Sequence, residues 1–270
     1  MNRISLNTSS FVAKQTGYSP ANDWDACVDA VNAYYRPEET FGARFEQMLR
    51  DVQALGYDML DIWTAGQLNW RWATEKQIET ARALLDKYRL TVASLGADFG
   101  ETREEFIAAC KLAVGVNTKL LSGGCAVLRK EYNFVADTLH QHDLYLGLEN
   151  HPEKSAQEML DQLRDGAGGR IGTTVDTGWY ATQAGDVIRA LEQLNGHILY
   201  IHLKDVLAGR ADQNVGFGQG IAPLEESVKT LRRMGYQGDY SVEDHAIDHD
   251  PTGELEEGRL LVEKWLAAPL

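Results

Sequence analysis

A chain of 270 residues is long enough for one large domain, and its formal net charge of −14 makes it a poor partner for a polyanion. Binding to nucleic acid depends on Lys and Arg side chains that neutralise phosphates, and an anionic membrane surface attracts the same side chains. We therefore expect neither a nucleic acid nor a membrane as a partner.

The cysteines and the start of the chain bear on its compartment. Cys27, Cys110 and Cys125 are an odd number and form no Cys-x-x-Cys pair, which indicates free or buried thiols in a reducing compartment. The chain starts without the apolar stretch of a signal peptide, and no run approaches the ~18 apolar residues of a membrane span. We expect a soluble, cytoplasmic protein.

Strand patterns alternate with helix patterns along the chain. The first strand, 4–8, precedes a long segment, 9–40, which contains a short helix near 25–34 and is expected to cover one end of the fold. Two later helices begin with capping boxes, at Thr74 and Thr102. The other predicted strands are 57–62, 90–95, 118–121, 144–149, 171–176, 197–202 and 236–243. Besides the short helix near 25–34, the predicted helices are 41–55, 74–88, 102–114, 127–141, 155–163, 181–194, 223–234 and 254–266.

Eight strands that are each followed by a helix predict an α/β protein with a parallel sheet. Right-handed crossovers close such a sheet into a (β/α)8 TIM barrel of about 250 residues. No linker or low-complexity tract divides the chain, so we expect one domain over residues 1–270. No Gly-x-Gly-x-x-Gly follows the first strand, which argues against a dinucleotide site. The glycine-rich stretch 216–220 lies after the seventh strand and is interpreted as a flexible loop.

The last four predicted strands each end in a side chain that can bind a metal ion: Glu149, Asp176, His202 and Glu243. Taken singly, each acid fits a helix cap and the histidine fits a packed core. Because the carboxyl ends of barrel strands meet at one face, we expect the four side chains to converge there. Three carboxylates repel one another unless a cation compensates them. With one imidazole, they favour a single divalent ion, Mn²⁺ first and Mg²⁺, Co²⁺ or Zn²⁺ as alternatives.

The chain resembles the sugar phosphate isomerase/epimerase superfamily, the xylose isomerase-like TIM barrels, in four runs: Glu149-Asn-His-Pro152, Val175-Asp-Thr-Gly178, Ile201-His-Leu-Lys-Asp205 and Glu243-Asp244. The resemblance covers the whole chain as an architecture and is specific in its second half. It implies that Glu149, Asp176, His202 and Glu243 bind the metal ion and that the two glutamates are catalytic. The reaction implied is proton transfer beside the carbonyl of a keto- or aldo-sugar.

Isomerisation, epimerisation and dehydration all fit this chemistry. The runner-up is a dehydratase or lyase acting on a keto-inositol or a 3-keto-glycoside, and a non-catalytic sugar binder is the third interpretation. Endonuclease IV in the same superfamily needs histidines at the ends of early strands, where this chain has Trp63, Asp98 and Ser122. The expected partner is a small sugar, unphosphorylated because no phosphate clamp is evident. Both a homo-oligomer and a complex with a partner subunit are compatible with the sequence.

Four further residues are expected to bind substrate, and three of them have a plainer alternative. His151 is an acid or substrate ligand, or a solvated loop histidine. Lys204 binds a substrate oxygen or pairs with Asp205. Trp63 stacks on a sugar or is a buried rim aromatic. Trp179 stands where many ketose epimerases of the family carry a substrate-contacting histidine, which argues against ketohexose 3-epimerisation and favours a different or larger substrate.

Overall fold

Eight parallel strands close a barrel in the computed structural model of the chain, which confirms the predicted (β/α)8 fold. The structure describes residues 2–19, 21–183 and 185–269, with only the backbone of 210–212. Neighbouring strands of the barrel follow one another in chain order. The barrel strands are β1 (Ile4–Asn7), β2 (Met59–Trp63), β3 (Thr91–Asp98), β4 (Leu120–Gly124), β5 (Tyr145–Glu149), β6 (Ile171–Asp176), β7 (Ile198–Leu203) and β10 (Tyr240–Val242). A separate antiparallel hairpin consists of β8 (Val206–Leu207) and β9 (Arg210–Asn214).

Helices follow the strands and surround the barrel. They are α1 (Trp24–Tyr35), α2 (Glu38–Ala54), α3 (Glu75–Tyr88), α4 (Arg103–Gly115), α5 (Ala126–Lys130), α6 (Tyr132–His142), α7 (Ala156–Leu163), α8 (Thr177–Thr182), α9 (Val187–Gln193), α10 (Leu224–Arg233) and α11 (Thr252–Ala267). Short 3₁₀ turns lie at Thr8–Phe11, Lys14–Thr16 and Gly166–Gly169.

The helical periodicity read from the sequence is confirmed in α2. Its apolar residues at helical spacing are buried against the barrel: Phe41, Phe45, Met48, Leu49 and Val52. The helix starts earlier than predicted because Pro37 can precede a first turn, and Glu38 and Glu39 are favoured beside the positive end of the helix dipole. The predicted capping boxes at Thr74 and Thr102 both form.

Two helices predicted as continuous are broken. The segment 127–141 contains two helices, α5 and α6, with a non-helical Glu131 between them. The segment 181–194 also holds parts of two helices, α8 and α9. Asp176 and Asp186 each accept a hydrogen bond from a backbone N–H of the first turn and begin these two helices. Side-chain capping therefore outweighs the continuous apolar pattern.

Two strand ends also differ from the prediction. Strand β4 extends to Gly124, so that Ser122 lies inside the strand instead of after it. Gly123 makes this possible, because a Cβ atom there would lie 1.8 Å from the carbonyl oxygen of Ala97 on β3. Strand β10 is only three residues long, and residues 236–239 before it are irregular, with a bend at Gly238.

The loop after β7 is ordered by the carboxylate of Asp205. Its two oxygens accept backbone hydrogen bonds from Val206, Gly218, Gly220 and Ala222 at 2.8–3.0 Å. Gly220 approaches so closely that a Cβ atom there would lie 2.3 Å from Asp205 Oδ1. The interpretation of this stretch as a flexible loop is wrong, because a buried carboxylate and the β8–β9 hairpin hold it.

A buried acid ties the barrel together below its carboxyl end. Asp61 on β2 is fully buried and accepts hydrogen bonds from hydroxyls on four other strands: Ser5 (2.7 Å), Ser94 (2.8 Å), Tyr200 (2.6 Å) and Ser241 (2.5 Å). Burial raises the pKa of Asp61, although the charge of His202 and these hydrogen bonds act in the opposite direction. The five side chains form a polar layer that fixes β1, β2, β3, β7 and β10 relative to one another.

Two simpler predictions concern the cysteines and membrane spans. Cys27, Cys110 and Cys125 are buried and unpaired, as predicted. In the described part of the chain, no helix is both long enough and apolar enough to span a bilayer.

We predict that Asp61→Ala lowers the free energy of unfolding by about 3 kcal/mol, because four buried hydroxyls lose their acceptor. The measurement is the midpoint of urea denaturation at an unchanged slope. Asp86→Ala is the control, since this exposed residue pairs with Arg82 on a helix surface and should change stability by less than about 0.5 kcal/mol. Equal midpoints for the two variants would contradict the structural role of the Asp61 layer.

Candidate active site

The four predicted ligand residues lie together at the carboxyl end of the barrel. Asp176 on β6 is in register with His202 on β7. The backbone N–H of Glu243, just after β10, donates to Leu203 of β7 at 3.1 Å. Glu149 ends β5, next to β6. Parallel pairing of neighbouring strands thus brings all four side chains to one face.

The imidazole of His202 lies between the two glutamates. Its Nδ1 is 2.7 Å from Glu149 Oε1 and 3.0 Å from Glu243 Oε2, and the residue is only 2% exposed. Burial lowers the pKa of His202, but the carboxylates of Glu243 and Glu149 outweigh it, so the pKa lies well above its ordinary value. Without a metal ion, His202 is therefore an imidazolium that holds the two carboxylates together.

The other imidazole nitrogen of His202 is fixed by a chain of hydroxyls. Its Nε2 lies 3.2 Å from Ser122 Oγ, which donates to Thr174 Oγ1 at 2.9 Å, and Thr174 donates to the carbonyl of Gly147 at 3.2 Å. Because the Ser122 hydroxyl donates to Thr174, its oxygen accepts from Nε2–H. Nδ1 is then the nitrogen directed at the carboxylates. Ser122 and Thr174 were not predicted as site residues, and only the register of their strands identifies them.

Asp176 is both a helix cap and a site residue. Its Oδ1 accepts from the backbone N–H of Trp179 at 2.9 Å, while Oδ2 faces His151 Nε2 at 3.2 Å and Lys204 Nζ at 3.4 Å. The side chain of Asn150 bonds to both the N–H and the carbonyl of Asp176. Burial raises the pKa of Asp176, but Lys204 and His151 outweigh it and lower the pKa well below its usual range. The interpretation of this strand-end acid as a helix cap is confirmed, and its role as a metal ligand stays a prediction.

Lys204 is the buried cation of the site. Its Nζ lies 3.1 Å from Glu243 Oε1 as well as near Asp176, so the alternative pairing with Asp205 is wrong. Burial lowers the pKa of Lys204, but Glu243 and Asp176 reverse this effect and raise the pKa above its ordinary value. For Glu243, burial raises the pKa and Lys204, His245 and His202 together lower it well below the ordinary value. Both groups are therefore charged.

A second histidine near Glu243 was missed from the sequence. His245 Nε2 lies 2.7 Å from Glu243 Oε1 and 2.8 Å from Ser9 Oγ, and its ring packs on Trp24 with centroids 4.9 Å apart. Asn7 donates to Glu243 Oε2 at 2.9 Å. A sequence signal was available, because Glu243-Asp-His245 repeats the spacing of Glu149-Asn-His151. The contacts of Ser9 and Trp24 show that the segment after β1 reaches this end of the barrel.

A cavity of about 160 Å³ opens onto these groups. Its lining residues are Asn7, Ser9, Trp63, Gly96, Ala97, Ser122, Glu149, His151, His202, Glu243 and His245. Trp63 and His151 are thus placed where a substrate could contact them. Asp176, Lys204 and Trp179 are not among the lining residues that the structure describes. Trp179 supports His151 instead, with ring centroids 4.7 Å apart and its indole N–H bonded to Glu153.

The arrangement offers two overlapping groups of metal-competent atoms that share Glu149. One group adds His202 and Glu243, the other adds His151 and Asp176, and within each group the atoms lie within 4.8 Å of one another. Carboxylate oxygens and imidazole nitrogens suit a divalent ion of hard or borderline character. The four predicted ligands are thus divided between the two groups: His202 and Glu243 lie in one, Asp176 lies with His151 in the other, and Glu149 belongs to both.

Removing the charge of Glu243 should lower the pKa of His202. In the metal-free protein we expect His202 to stay protonated above pH ~6.5, the value of an unperturbed histidine. Glu243→Gln should lower the midpoint of the His202 titration by about 1–3 pH units, the effect of one nearby charge. The measurement is an NMR titration of the imidazole resonances.

The matched control is Glu153→Gln, because Glu153 pairs with Arg129 and does not contact His202. An unchanged midpoint in Glu243→Gln would contradict the coupling. The folded-state pKa is raised, so the stabilisation from His202 is complete below about pH 6.5 and is lost as the pH rises through the folded-state value.

The chain is similar in sequence to a curated epimerase. The chain is 33% identical over 93 residues to the L-ribulose-5-phosphate 3-epimerase UlaE of Escherichia coli, a match that covers 34% of this chain and 32% of that protein. The match thus spans about a third of the length of this curated relative.

Two solved structures share the fold over nearly the whole chain. One is the IOLI protein with a bound zinc atom, at a TM-score of 0.70 and 14% identity, covering 98% of this chain and 100% of that one. The other is described as the probable 3-DHS dehydratase AsbF of Bacillus anthracis, at a TM-score of 0.68 and 15% identity, covering 97% and 99%. At these identities the two structures show a common fold. The model of the xylose isomerase-like TIM barrels matches residues 49–265, and the chain therefore belongs to that family.

Proposed function

We propose that this protein is a divalent-metal-dependent sugar isomerase or epimerase that moves a proton next to a carbonyl group. One observation carries the proposal: Glu149 and Glu243 approach the same imidazole nitrogen of His202, at 2.7 and 3.0 Å, from two strands of the barrel. All three residues line one cavity at the carboxyl end of the barrel. The epimerase among the relatives supports the same reaction class.

Glu149, Asp176, His202 and Glu243 are the residues that would hold the ion, with Mn²⁺ as first choice and Mg²⁺, Co²⁺ or Zn²⁺ as alternatives. When bound, such an ion supplies Lewis-acid polarisation of the substrate carbonyl. Ser122 orients His202 for this role through its Nε2. A zinc atom in a barrel of the same fold supports a divalent ion without identifying it.

The two glutamates divide the proton transfer between them. Glu243 is held ionised by Lys204 and His245, so it can accept the proton next to the carbonyl. Glu149 faces the same cavity from β5. To return a proton, Glu149 must start the cycle protonated; it then ends as the carboxylate, while Glu243 ends as the acid that keeps the abstracted proton. Return to the opposite face of the same carbon gives the epimer, and return to the neighbouring carbon gives the isomer. Lys204 is better explained as the partner of the carboxylates than as a substrate ligand, because it bonds to Asp176 and Glu243.

A dehydratase or lyase is the second candidate, and His151 favours it. Burial lowers the pKa of His151, but Glu149 and Asp176 outweigh this effect and raise it. An imidazole that has a raised pKa and lines the cavity is a suitable acid for a leaving hydroxyl. The dehydratase among the structures of the same fold is consistent with this chemistry.

Proton exchange in deuterated water tests the proposed reaction. With MnCl₂ present, the protein should exchange the hydrogen next to the carbonyl of at least one ketose in a panel, as followed by ¹H NMR. Glu149→Gln and Glu243→Gln should each reduce exchange by about 10²–10⁴-fold, the usual contribution of one acid or base. Melting temperatures above the assay temperature show that a variant has lost chemistry and not its fold.

Glu153→Gln is the control and should keep its rate within about twofold, as expected for a change outside the site. Near wild-type exchange by Glu243→Gln would refute the assignment of roles. A growing absorbance of an unsaturated ketone would favour the lyase, and binding of sugar without exchange would favour a non-catalytic binder.

Metal affinity tests the ligand set independently of activity. Ser122→Ala should weaken Mn²⁺ binding by about 10–100-fold, the range for groups that orient a ligand, and His202→Ala should weaken it further. Thr174→Ser keeps the hydroxyl that Ser122 contacts and should bind like the wild type. The measurement is isothermal titration calorimetry on metal-free protein. Equal affinities for the wild type and His202→Ala would refute the site.

A further inference from the structure

A second and larger cavity adjoins the first at His245. It has a volume of about 440 Å³, and His245 lines both cavities. The first cavity alone, at about 160 Å³, is smaller than the ~300–1,000 Å³ of sites that bury drug-sized ligands. A substrate that fills only the first cavity would leave the larger space beside it unused.

The walls of the second cavity are tied to the active site. On one side, Asn22 donates to the carbonyl of Ile247 at 3.3 Å, two residues after His245. On the other side, the N–H of Val215 donates to the carbonyl of Asp205 at 3.1 Å, next to Lys204. The cavity is therefore built from the same two segments that carry Lys204 and His245.

The lining of this cavity is rich in uncharged hydrogen-bonding groups. Gln213 is exposed, and Asn214 is 9% exposed with a side-chain carbonyl oxygen that has no hydrogen-bond partner among the described residues. Asp248 adds a negative charge. The lining residues that the structure describes include no Lys or Arg, the side chains that most often bind a phosphate, and the histidines among them are His245 and His249. The chemistry fits hydroxyl groups and disfavours an anion.

We propose that the second cavity is a subsite for an uncharged sugar unit joined to the reacting ketose, so that the substrate is a glycosylated ketose and not a sugar phosphate. This inference rests on the proposed function, because the reacting ketose occupies the first cavity. Amides such as Gln213 and Asn214 donate and accept hydrogen bonds at once, as vicinal hydroxyls require. His245 lies where the two units of the substrate meet.

Three ketoses that differ only at one oxygen test the subsite. They are D-fructose, D-fructose 6-phosphate and isomaltulose, which carries a glucosyl group at the same O6. Calorimetry with MnCl₂ present should give a Kd for isomaltulose about tenfold below that of fructose, equivalent to about 1.4 kcal/mol. Fructose 6-phosphate should bind no more tightly than fructose. Equal Kd values for fructose and isomaltulose, tighter binding of the phosphate, or no binding of any of the three would overturn the inference.

Variants of Gln213 separate the subsite from the reaction. Gln213→Ala should raise the Kd for isomaltulose by about fivefold, the factor for one neutral hydrogen bond. The Kd for fructose should stay within about twofold of the wild-type value. Gln213→Lys should shift the preference toward fructose 6-phosphate. Equal effects of Gln213→Ala on isomaltulose and fructose would count against the subsite.

The two proposals fail in different ways. If the protein exchanges ketose hydrogens but binds isomaltulose no more tightly than fructose, the proposed reaction is supported and the subsite is refuted. If isomaltulose binds more tightly than fructose, and this preference depends on Gln213, the subsite is supported. If no ketose hydrogen is exchanged in the same protein, the proposed reaction is refuted.

Discussion

The need to compensate three carboxylates in a buried space determines the architecture of this site. Asp176 and Glu243 are almost completely shielded from water, and Glu149 is only slightly more exposed. At short range in a poorly hydrated interior, like charges cannot coexist without cations. Lys204 and protonated His202 provide two positive charges within 3.4 Å of these oxygens. Lys204 and His202 therefore compensate these carboxylates within the protein itself.

The barrel supplies the rigidity that this compensation requires. The register of β6 with β7 places Asp176 beside His202, and hydroxyls of Ser122 and Thr174 fix the ring of His202. Below them, the carboxylate of Asp61 binds hydroxyls from four other strands. Tyr200 connects the two layers, because its hydroxyl bonds to Asp61 and its ring packs against His202 with centroids 5.5 Å apart. These buried hydrogen bonds thus hold the side chains of the site in position.

The sequence was sufficient for the fold and for the meeting of the four strand-end side chains at one face, because both follow from local patterns. Alternation of strands and helices predicts a barrel, and a barrel brings strand ends together. The partner of Lys204, the role of Ser122 and the contacts of His245 depend on which side chains meet across strands far apart in the chain. The glycine-rich loop was misread for a similar reason. Its order comes from Asp205, a residue that precedes the loop and whose four backbone partners no local pattern reveals.

The neighbouring residues Lys204 and Asp205 connect the buried carboxylates to the second cavity. Successive side chains of an extended segment point to opposite sides, so two neighbours can serve two different structures. Lys204 points to Glu243 and Asp176, whereas Asp205 holds the loop whose β8–β9 hairpin lines the second cavity. A change in that loop alters the second cavity without moving the strand ends that carry the carboxylates. This barrel can therefore keep its strand-end carboxylates in place and vary the second cavity through the segment that follows its seventh strand.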